Sequence, residues 1–235
     1  MIVRTRPLKT EEAARYVDIL AGVPDRDAVF AAIAAIAIGI GARIGEVLAL
    51  RTADVLEPNG QLRERIRRRV LKKRNAVVYR DAWFIDCRLR KIVERYAASP
   101  RRASLYLPGD ALFFAAGISG KPVGYYKAWR HNRRFLGAAG LPMTGVAFHG
   151  LRKTFLSKIY EQIYADTGDM MRALTFAQKL AGHESINTTI LYLDIEPVDE
   201  AAAVREAMAA ITGTRTDTDP PPPSYGAANG HGGTP

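Results

Sequence analysis

The spacing of apolar residues predicts a chain that is built mainly of helices. Runs with helical period occur before residue 50 and again after residue 86. Thr10, followed by two glutamates, indicates the N-cap of a first helix that continues to Ala21. Further helices are predicted over residues 25–40, 44–50, 87–98, 125–137, 149–164, 170–182 and 198–211.

The second of these helices carries the longest apolar run of the chain. The run extends from residue 28 to residue 42, a length of 15 residues, and two glycines interrupt it. A membrane-spanning helix needs about 20 apolar residues. The sequence therefore predicts a buried core helix here and no membrane association.

The residue pattern changes between Gln61 and Ile85, where β-branched and aromatic residues alternate with charged ones. Such alternation is typical of strands, and Lys73, Arg74 and Asn75 are expected at the turn of a hairpin. The predicted fold class is therefore mainly α with a small antiparallel β-sheet, an α+β arrangement.

Length and composition suggest one folded domain between two short terminal segments. The chain has 235 residues, of which 48% are hydrophobic, enough for a sizeable core. We expect residues 1–9 to form an N-terminal arm and residues 10–212 to form the domain. Residues 213–235 are rich in proline and glycine, which predicts a disordered tail.

The charge and the few cysteines restrict the partners and the compartment. A net charge of +10 favours a polyanion such as nucleic acid, although an anionic membrane surface would attract it too. Cys87 is the single cysteine, so an internal disulfide is impossible and a reducing cytoplasm fits. The four histidines are widely separated, so we expect no metal. We also expect no other cofactor.

Three motifs bring together the side chains of one kind of chemistry. Arg43 lies in Gly-Ala-Arg-Ile-Gly-Glu, His149 and Arg152 lie in His-Gly-Leu-Arg, and His183 ends Leu-Ala-Gly-His with Tyr192 nine residues later. Guanidinium groups can grip a phosphate, histidines transfer protons near neutral pH, and a tyrosine hydroxyl can attack phosphorus. Surface ion pairing, helix capping or core packing could explain each residue singly. Their order favours a site that breaks and rejoins DNA strands.

These motifs resemble those of the tyrosine recombinases, also called phage-type integrases, over about residues 6–210. That family has Gly-x-Arg-x-x-Glu-Leu, then His-x-Leu-Arg, then a nucleophile nine residues beyond the histidine of Leu-Gly-His. Ala181 is a small departure from the last motif. The resemblance implies the tyrosine recombinase catalytic domain fold. It also implies that Tyr192 is the nucleophile and that Arg43, His149, Arg152 and His183 stabilise charge on the phosphorus.

The resemblance also implies a lysine on the hairpin as general acid for the leaving oxygen. Lys72 and Lys73 are the candidates, and Lys73 is favoured, although the family's Lys-x-Gly-x-x-Arg context is missing. Glu46, three residues after Arg43 on one helix face, is expected to orient that guanidinium. Eight basic residues and one acid lie between residues 63 and 74. The expected DNA contacts are Arg65, Arg67, Arg69, Lys72, Arg74 and Lys153.

The resemblance implies a double-stranded DNA substrate and a homo-tetramer on the DNA, because strand exchange needs four active sites. Relatives carry an N-terminal DNA clamp before the catalytic domain, and only nine residues stand there in this sequence. We therefore expect an accessory DNA-binding protein to help. Two alternatives stay open, a type IB topoisomerase and a non-catalytic DNA-binding regulator with the same fold.

Overall fold

The computed structural model of the protein describes residues 5–71, 78–103, 111–116, 121–143 and 145–193. Several sequence predictions fall outside these ranges. They concern Lys72, Lys73 and Arg74, the hairpin turn, the helix over residues 198–211 and the tail over residues 213–235.

Helices dominate the described residues, as the apolar spacing predicts. They are α1 (Thr10–Gly22), α2 (Ala28–Gly39), α3 (Ile44–Leu48), α4 (Thr52–Val55), α5 (Cys87–Ala97), α6 (Pro100–Ala103), α7 (Tyr125–Ala138), α8 (Phe148–Thr167), α9 (Met170–Ala181) and α10 (Ile186–Leu193). The strands are β1 (Arg65–Val70), β2 (Val78–Trp83), β3 (Ala115–Ala116) and β4 (Lys121–Pro122). The short α4 and α6, the helix α10 and the β3–β4 pair were not predicted.

The core helix α2 lies at the centre of the molecule. Every residue from Ala28 to Ile38 is buried, which fits a helix that is apolar on all sides. It packs against α1, α5, α7 and α8. At its C-terminal end, a Cβ on Gly39 would lie 2.5 Å from Cε2 of Phe84, so only glycine permits this close approach. The predicted buried core helix is confirmed.

The start of α1 corrects one expectation. Thr10 is the first helical residue and Lys9 occupies the N-cap, so the prediction of a Thr10 cap was wrong by one residue. The physical reason is that Glu12 performs the capping. Its carboxylate accepts a hydrogen bond from the Lys9 backbone N–H at 2.9 Å, which satisfies one of the free donors at the helix start.

Strands β1 and β2 form the predicted antiparallel hairpin, with Arg65 opposite Trp83 and Val70 opposite Val78. Successive side chains of β1 point to opposite faces. The outer face exposes arginines 65, 67 and 69, whereas Ile66 and Arg68 on the inner face are buried. Strand β1 packs against α3 and α4.

A second, smaller hydrophobic cluster lies beside the main one. Its buried members are Leu156, Leu174, Ala177, Ala181 and Leu193, from α8, α9 and α10. Helix α8 belongs to both clusters, since Leu151 near its start is buried in the large one. No helix among the described residues is both long and apolar enough to cross a membrane.

Candidate active site

A glycine turn after α2 places Arg43 at the site. Gly41 has a positive φ of 58°, and a Cβ there would lie 2.4 Å from Cδ1 of Phe155. The chain therefore needs glycine at this point. Arg43 is then the N-cap of α3, with its Nη1 3.1 Å from Oε1 of Glu46. Glu46 thus lies where the sequence expects it, beside the guanidinium.

Arg68 is a site residue that the sequence analysis missed. Its Nη1 donates to Oε2 of Glu46, and both side chains are almost fully buried. Burial alone would raise the pKa of Glu46, but the positive charges of Arg68, Arg43 and Arg152 outweigh it and keep that pKa below its ordinary value. The sequence could have indicated this position, because side chains alternate along a strand and Arg68 lies between the inward-facing Ile66 and Val70 at a spacing of two residues.

Arg152 joins two parts of the site from the first turns of α8. Its Nη1 donates to the carbonyl oxygen of Gly41 at 2.5 Å, and its Nη2 donates to that of Ala181 at 2.6 Å. The residue is 1% exposed. Burial, and then repulsion from Arg43, lower the pKa of Arg152 to about 10, so it remains charged at neutral pH.

Tyr192, on α10, lies among both histidines and two cationic side chains. Its hydroxyl is 2.8 Å from Nδ1 of His149, and the two rings meet edge to face. The ring centroid of Tyr192 is 5.7 Å from Cζ of Arg152 and 5.9 Å from Nζ of Lys153. Residues that lie up to 43 positions apart in the sequence therefore surround one tyrosine side chain.

His183 follows the C-terminus of α9, where Gly182 adopts the left-handed conformation with a φ of 70°. The ring centroid of His183 is 4.8 Å from that of Tyr192. Its Nδ1 lies 3.1 Å from Oγ1 of Thr189, a fully buried residue that the sequence analysis missed. Thr189 orients the imidazole towards the tyrosine.

The predicted DNA contacts occupy two places. Arg65 and Arg67 lie on the exposed hairpin face, stacked over the rings of Trp83 at 3.9 Å and Tyr79 at 4.4 Å. Lys153 is buried beside Tyr192 instead of lying on an outer surface. Lys72, Lys73 and Arg74 lie outside the described residues. No group of acidic, histidine or cysteine side chains in the described part of the chain could hold a metal ion.

The sequence matches a family model described as the phage integrase family over residues 8–197. No curated protein matches it closely enough to count as a relative.

Several solved structures share the fold. XerH site-specific recombinase bound to a palindromic difH substrate, in a post-cleavage complex, is 22% identical with a TM-score of 0.65, and the match covers 87% of this chain and 54% of that one. XerA recombinase is 23% identical with a TM-score of 0.61, covering 92% and 66%. A lambda integrase dimer bound to a COC' core site is 20% identical with a TM-score of 0.56, covering 85% and 51%. The chain thus spans about half the length of XerH and of lambda integrase.

Proposed function

The chain belongs to the phage integrase family, and we propose that it is a tyrosine-type site-specific DNA recombinase. In this proposal the chain cleaves one DNA strand through a 3′-phosphotyrosyl link on Tyr192 and rejoins it to a partner strand. The observation that carries the proposal is the 2.8 Å separation between the Tyr192 hydroxyl and Nδ1 of His149, with Arg152 beside the same ring.

The chemistry follows from that placement. The Tyr192 oxygen attacks the scissile phosphorus and forms the phosphotyrosyl bond, while the bond from phosphorus to the 5′-oxygen breaks. His149, with Nδ1 unprotonated, accepts the tyrosine proton within hydrogen-bond reach. The leaving oxygen takes a proton from Lys73 or Lys72 of the hairpin. A 5′-hydroxyl of a second strand then reverses these steps, so no external energy source is consumed.

The charges around Tyr192 suit a pentavalent phosphorus. Arg43 and Arg152 supply two guanidinium groups, and His183 supplies a further donor, which together stabilise charge that develops in the transition state. Among the described residues, Nε of buried Arg152 has no hydrogen-bond acceptor. A phosphate oxygen would satisfy this donor and offset the cost of burying the charge.

Double-stranded DNA is the proposed substrate. The similar XerH recombinase is bound to its difH substrate, and the lambda integrase dimer is bound to a COC' core site. Arg65, Arg67 and Arg69 would contact backbone phosphates, and stacking on Trp83 and Tyr79 restricts the first two before DNA arrives. A homo-tetramer would assemble on the DNA, aided by an accessory DNA-binding protein. The place of action would be bacterial, phage or plasmid DNA in the cytoplasm.

A nicked suicide duplex tests the nucleophile. The DNA would carry a candidate site, such as an inverted repeat found beside the gene, with a nick close to the cleavage position, so that the covalent complex accumulates. Tyr192→Phe should abolish covalent capture while DNA binding persists, because only the hydroxyl is lost. Tyr164→Phe, a change of the same chemistry on the exposed part of α8, is the matched control and should behave like wild type. Capture by Tyr192→Phe would show that another residue is the nucleophile.

The identity of the general acid is tested separately with DNA whose scissile 5′-oxygen is replaced by sulfur. A thiolate leaves without protonation, so loss of the acid is harmless on that substrate. Lys73→Ala should slow cleavage of ordinary DNA by roughly 10²- to 10⁴-fold and recover on the sulfur substrate. If Lys72→Ala is rescued instead, Lys72 is the general acid. If neither variant is rescued, the general acid is not one of these two lysines.

A further inference from the structure

Three consecutive backbone carbonyls at the C-terminus of α9 each accept a hydrogen bond from an arginine. Arg80 donates from Nη1 to the carbonyl of Lys179 at 3.1 Å. Arg68 donates from Nη2 to that of Leu180 at 3.0 Å, and Arg152 donates to that of Ala181. These bonds join residues 29 to 112 positions apart in the sequence. The helix end that immediately precedes Gly182 and His183 is therefore held by three guanidinium groups.

The arrangement has a physical cause in the helix itself. The last four carbonyls of an α-helix have no partner within the helix, and they carry the negative end of its dipole. Cationic donors are favourable there. Within α9 the chain closes its own end by a bond from the Gly182 N–H to the Gln178 carbonyl at 2.8 Å. The carbonyl oxygens of residues 179 to 181 accept hydrogen bonds from the three arginines instead.

Two of the three arginines come from the hairpin. Arg68 on β1 and Arg80 on β2 are paired residues of the ladder, directly opposite each other on the inner face. Like charges in such a pair repel and destabilise the sheet. The carboxylate of Glu46 and the α9 carbonyls offset that repulsion, because they give each guanidinium an acceptor. The hairpin and α9 are thus fixed to one another by charge.

The contact of Arg80 with α9 also restricts which residue can occupy position 182. A Cβ at Gly182 would lie 2.2 Å from Nη1 of Arg80, in the space that the guanidinium occupies. Its φ of 70° independently disfavours other residues. The guanidinium therefore covers the backbone of the residue that precedes His183.

We propose that Arg68 and Arg80 are positioning residues, which hold the α9 C-terminus and thereby place His183 against Tyr192. The proposal rests on the proposed function in one respect, since His183 is taken to serve the reacting phosphate. The inner face of the hairpin would thus hold the C-terminus of α9, whereas its outer face would contact DNA. DNA bound to the outer face would thus rest on the same two strands that fix His183.

The test replaces the guanidinium without removing the apolar stem. Arg80→Met is the main variant, because Arg80 is only partly buried and its loss leaves the core intact. Arg68→Met is the second, although it also removes a partner of buried Glu46. Arg95→Met is the matched control. Arg95 donates to the Ala21 carbonyl at 2.7 Å, so it caps the C-terminus of α1 in the same way but on helices that carry no site residue.

Two readouts distinguish positioning from general stability. The first is amide hydrogen exchange at Gly182 and His183, both of which donate to the Gln178 carbonyl. Arg80→Met should speed this exchange by about fivefold or more, the equivalent of one lost hydrogen bond. The second is strand cleavage at saturating DNA, which should slow by roughly 10- to 100-fold while the Kd changes little. Arg80→Lys should recover part of the rate, and Arg95→Met should change neither readout.

A reduced affinity with an unchanged saturating rate in Arg80→Met would overturn the proposal, because Arg80 would then be an ordinary DNA contact. Unchanged exchange at Gly182 and His183 would overturn it as well. A wild-type protein that forms no covalent complex contradicts the proposed function alone, since the exchange measurement needs no DNA.

A double-mutant cycle supplies an independent check. If the guanidinium occupies the Cβ space of Gly182, the losses in cleavage rate for Gly182→Ala and Arg80→Met should overlap, and the double variant should lose less than the product of the two. Fully multiplicative losses would show that Arg80 does not cover Gly182.

Discussion

The two hydrophobic clusters support the active site unequally. The large cluster surrounds α2 and includes Val47 of α3 and Leu151 of α8, so it anchors the segments that carry Arg43 and Arg152. Among the described residues, the small cluster has five buried members, and it anchors the segments that carry His183 and Tyr192. The two arginines that are proposed to bind the phosphate therefore lie on the main core, whereas the proposed nucleophile lies on helices with fewer buried side chains in the described part of the chain.

This difference indicates where the site can move. Parts of a protein with few buried apolar contacts open locally at a lower free energy than the core does. Segments α9 and α10 should thus open before α2, and the polar bonds of Arg152 to Gly41 and Ala181 join the two regions. The proposed nucleophile on α10 can then adjust to the phosphate, while the three arginine bonds hold the C-terminus of α9 beside the cationic site.

Matched cavity substitutions should give the largest separation between the clusters. Ile36 and Leu174 are both buried, one in each cluster. Ile36→Ala should lie near the upper end of the roughly 2–5 kcal/mol that such truncations cost, and Leu174→Ala near the lower end, because the small cluster can collapse more easily. Urea unfolding measures both. In native-state hydrogen exchange, Leu174→Ala should speed exchange in α9 and α10 but not in α2. Equal acceleration everywhere would mean that the two clusters unfold as one unit.

Removal of the bridging arginine should produce the next largest effect. Arg152→Ala loses a buried guanidinium that contacts both regions, and we expect cleavage at saturating DNA to slow by about 10²- to 10³-fold. Arg152→Lys should not restore it, because one ammonium nitrogen cannot take the place of two guanidinium nitrogens that donate to different carbonyls, those of Gly41 and Ala181. Single-turnover cleavage of the suicide duplex measures the rate. Near-normal cleavage by the lysine variant would show that one point charge is enough at this position.

The smallest expected effect is on stability and concerns the segment before α1. This segment belongs to the large cluster through Leu8. Arg6 forms two hydrogen bonds with Glu12, and these hold the pKa of Glu12 at about 2, below its ordinary 4.5. The stabilisation is therefore present above about pH 4.5 and is lost as the pH falls towards 2. Solvent screens the pair, since Arg6 is 37% exposed, so the effect should be modest.

Urea unfolding of wild type and Glu12→Gln at pH 7, 4 and 2.5 checks this expectation. The stability difference should shrink as the pH falls, while amide exchange in α9 and α10 is the same in the two proteins at each pH. A difference that is constant over this range would mean that the ion pair contributes nothing to stability.

Of the helices that carry the site, α3, α8 and α9 could be predicted because their signals are local, whereas α10, which carries Tyr192, was not. Helical spacing and the glycines at 39 and 41 predict α2 and its end. The three-residue offset predicts that Arg43 and Glu46 lie beside each other, and they do, although Arg43 is the N-cap of α3 and not a helical residue. Alternation predicts the hairpin, which is confirmed as a small antiparallel sheet. Short α4 and the two-residue strands β3 and β4 carry too few residues for any period to be visible.

The sequence by itself determined the family, the helical architecture and the order of the candidate catalytic residues, because each of these is written in spacings of a few residues. Only the tertiary structure decided that Arg68 turns inward to Glu46, that Arg152 holds the carbonyls of Gly41 and Ala181, and that the hairpin caps α9. The physical reason is that buried polar groups require partners, and these partners come from distant segments that meet only when the two clusters form.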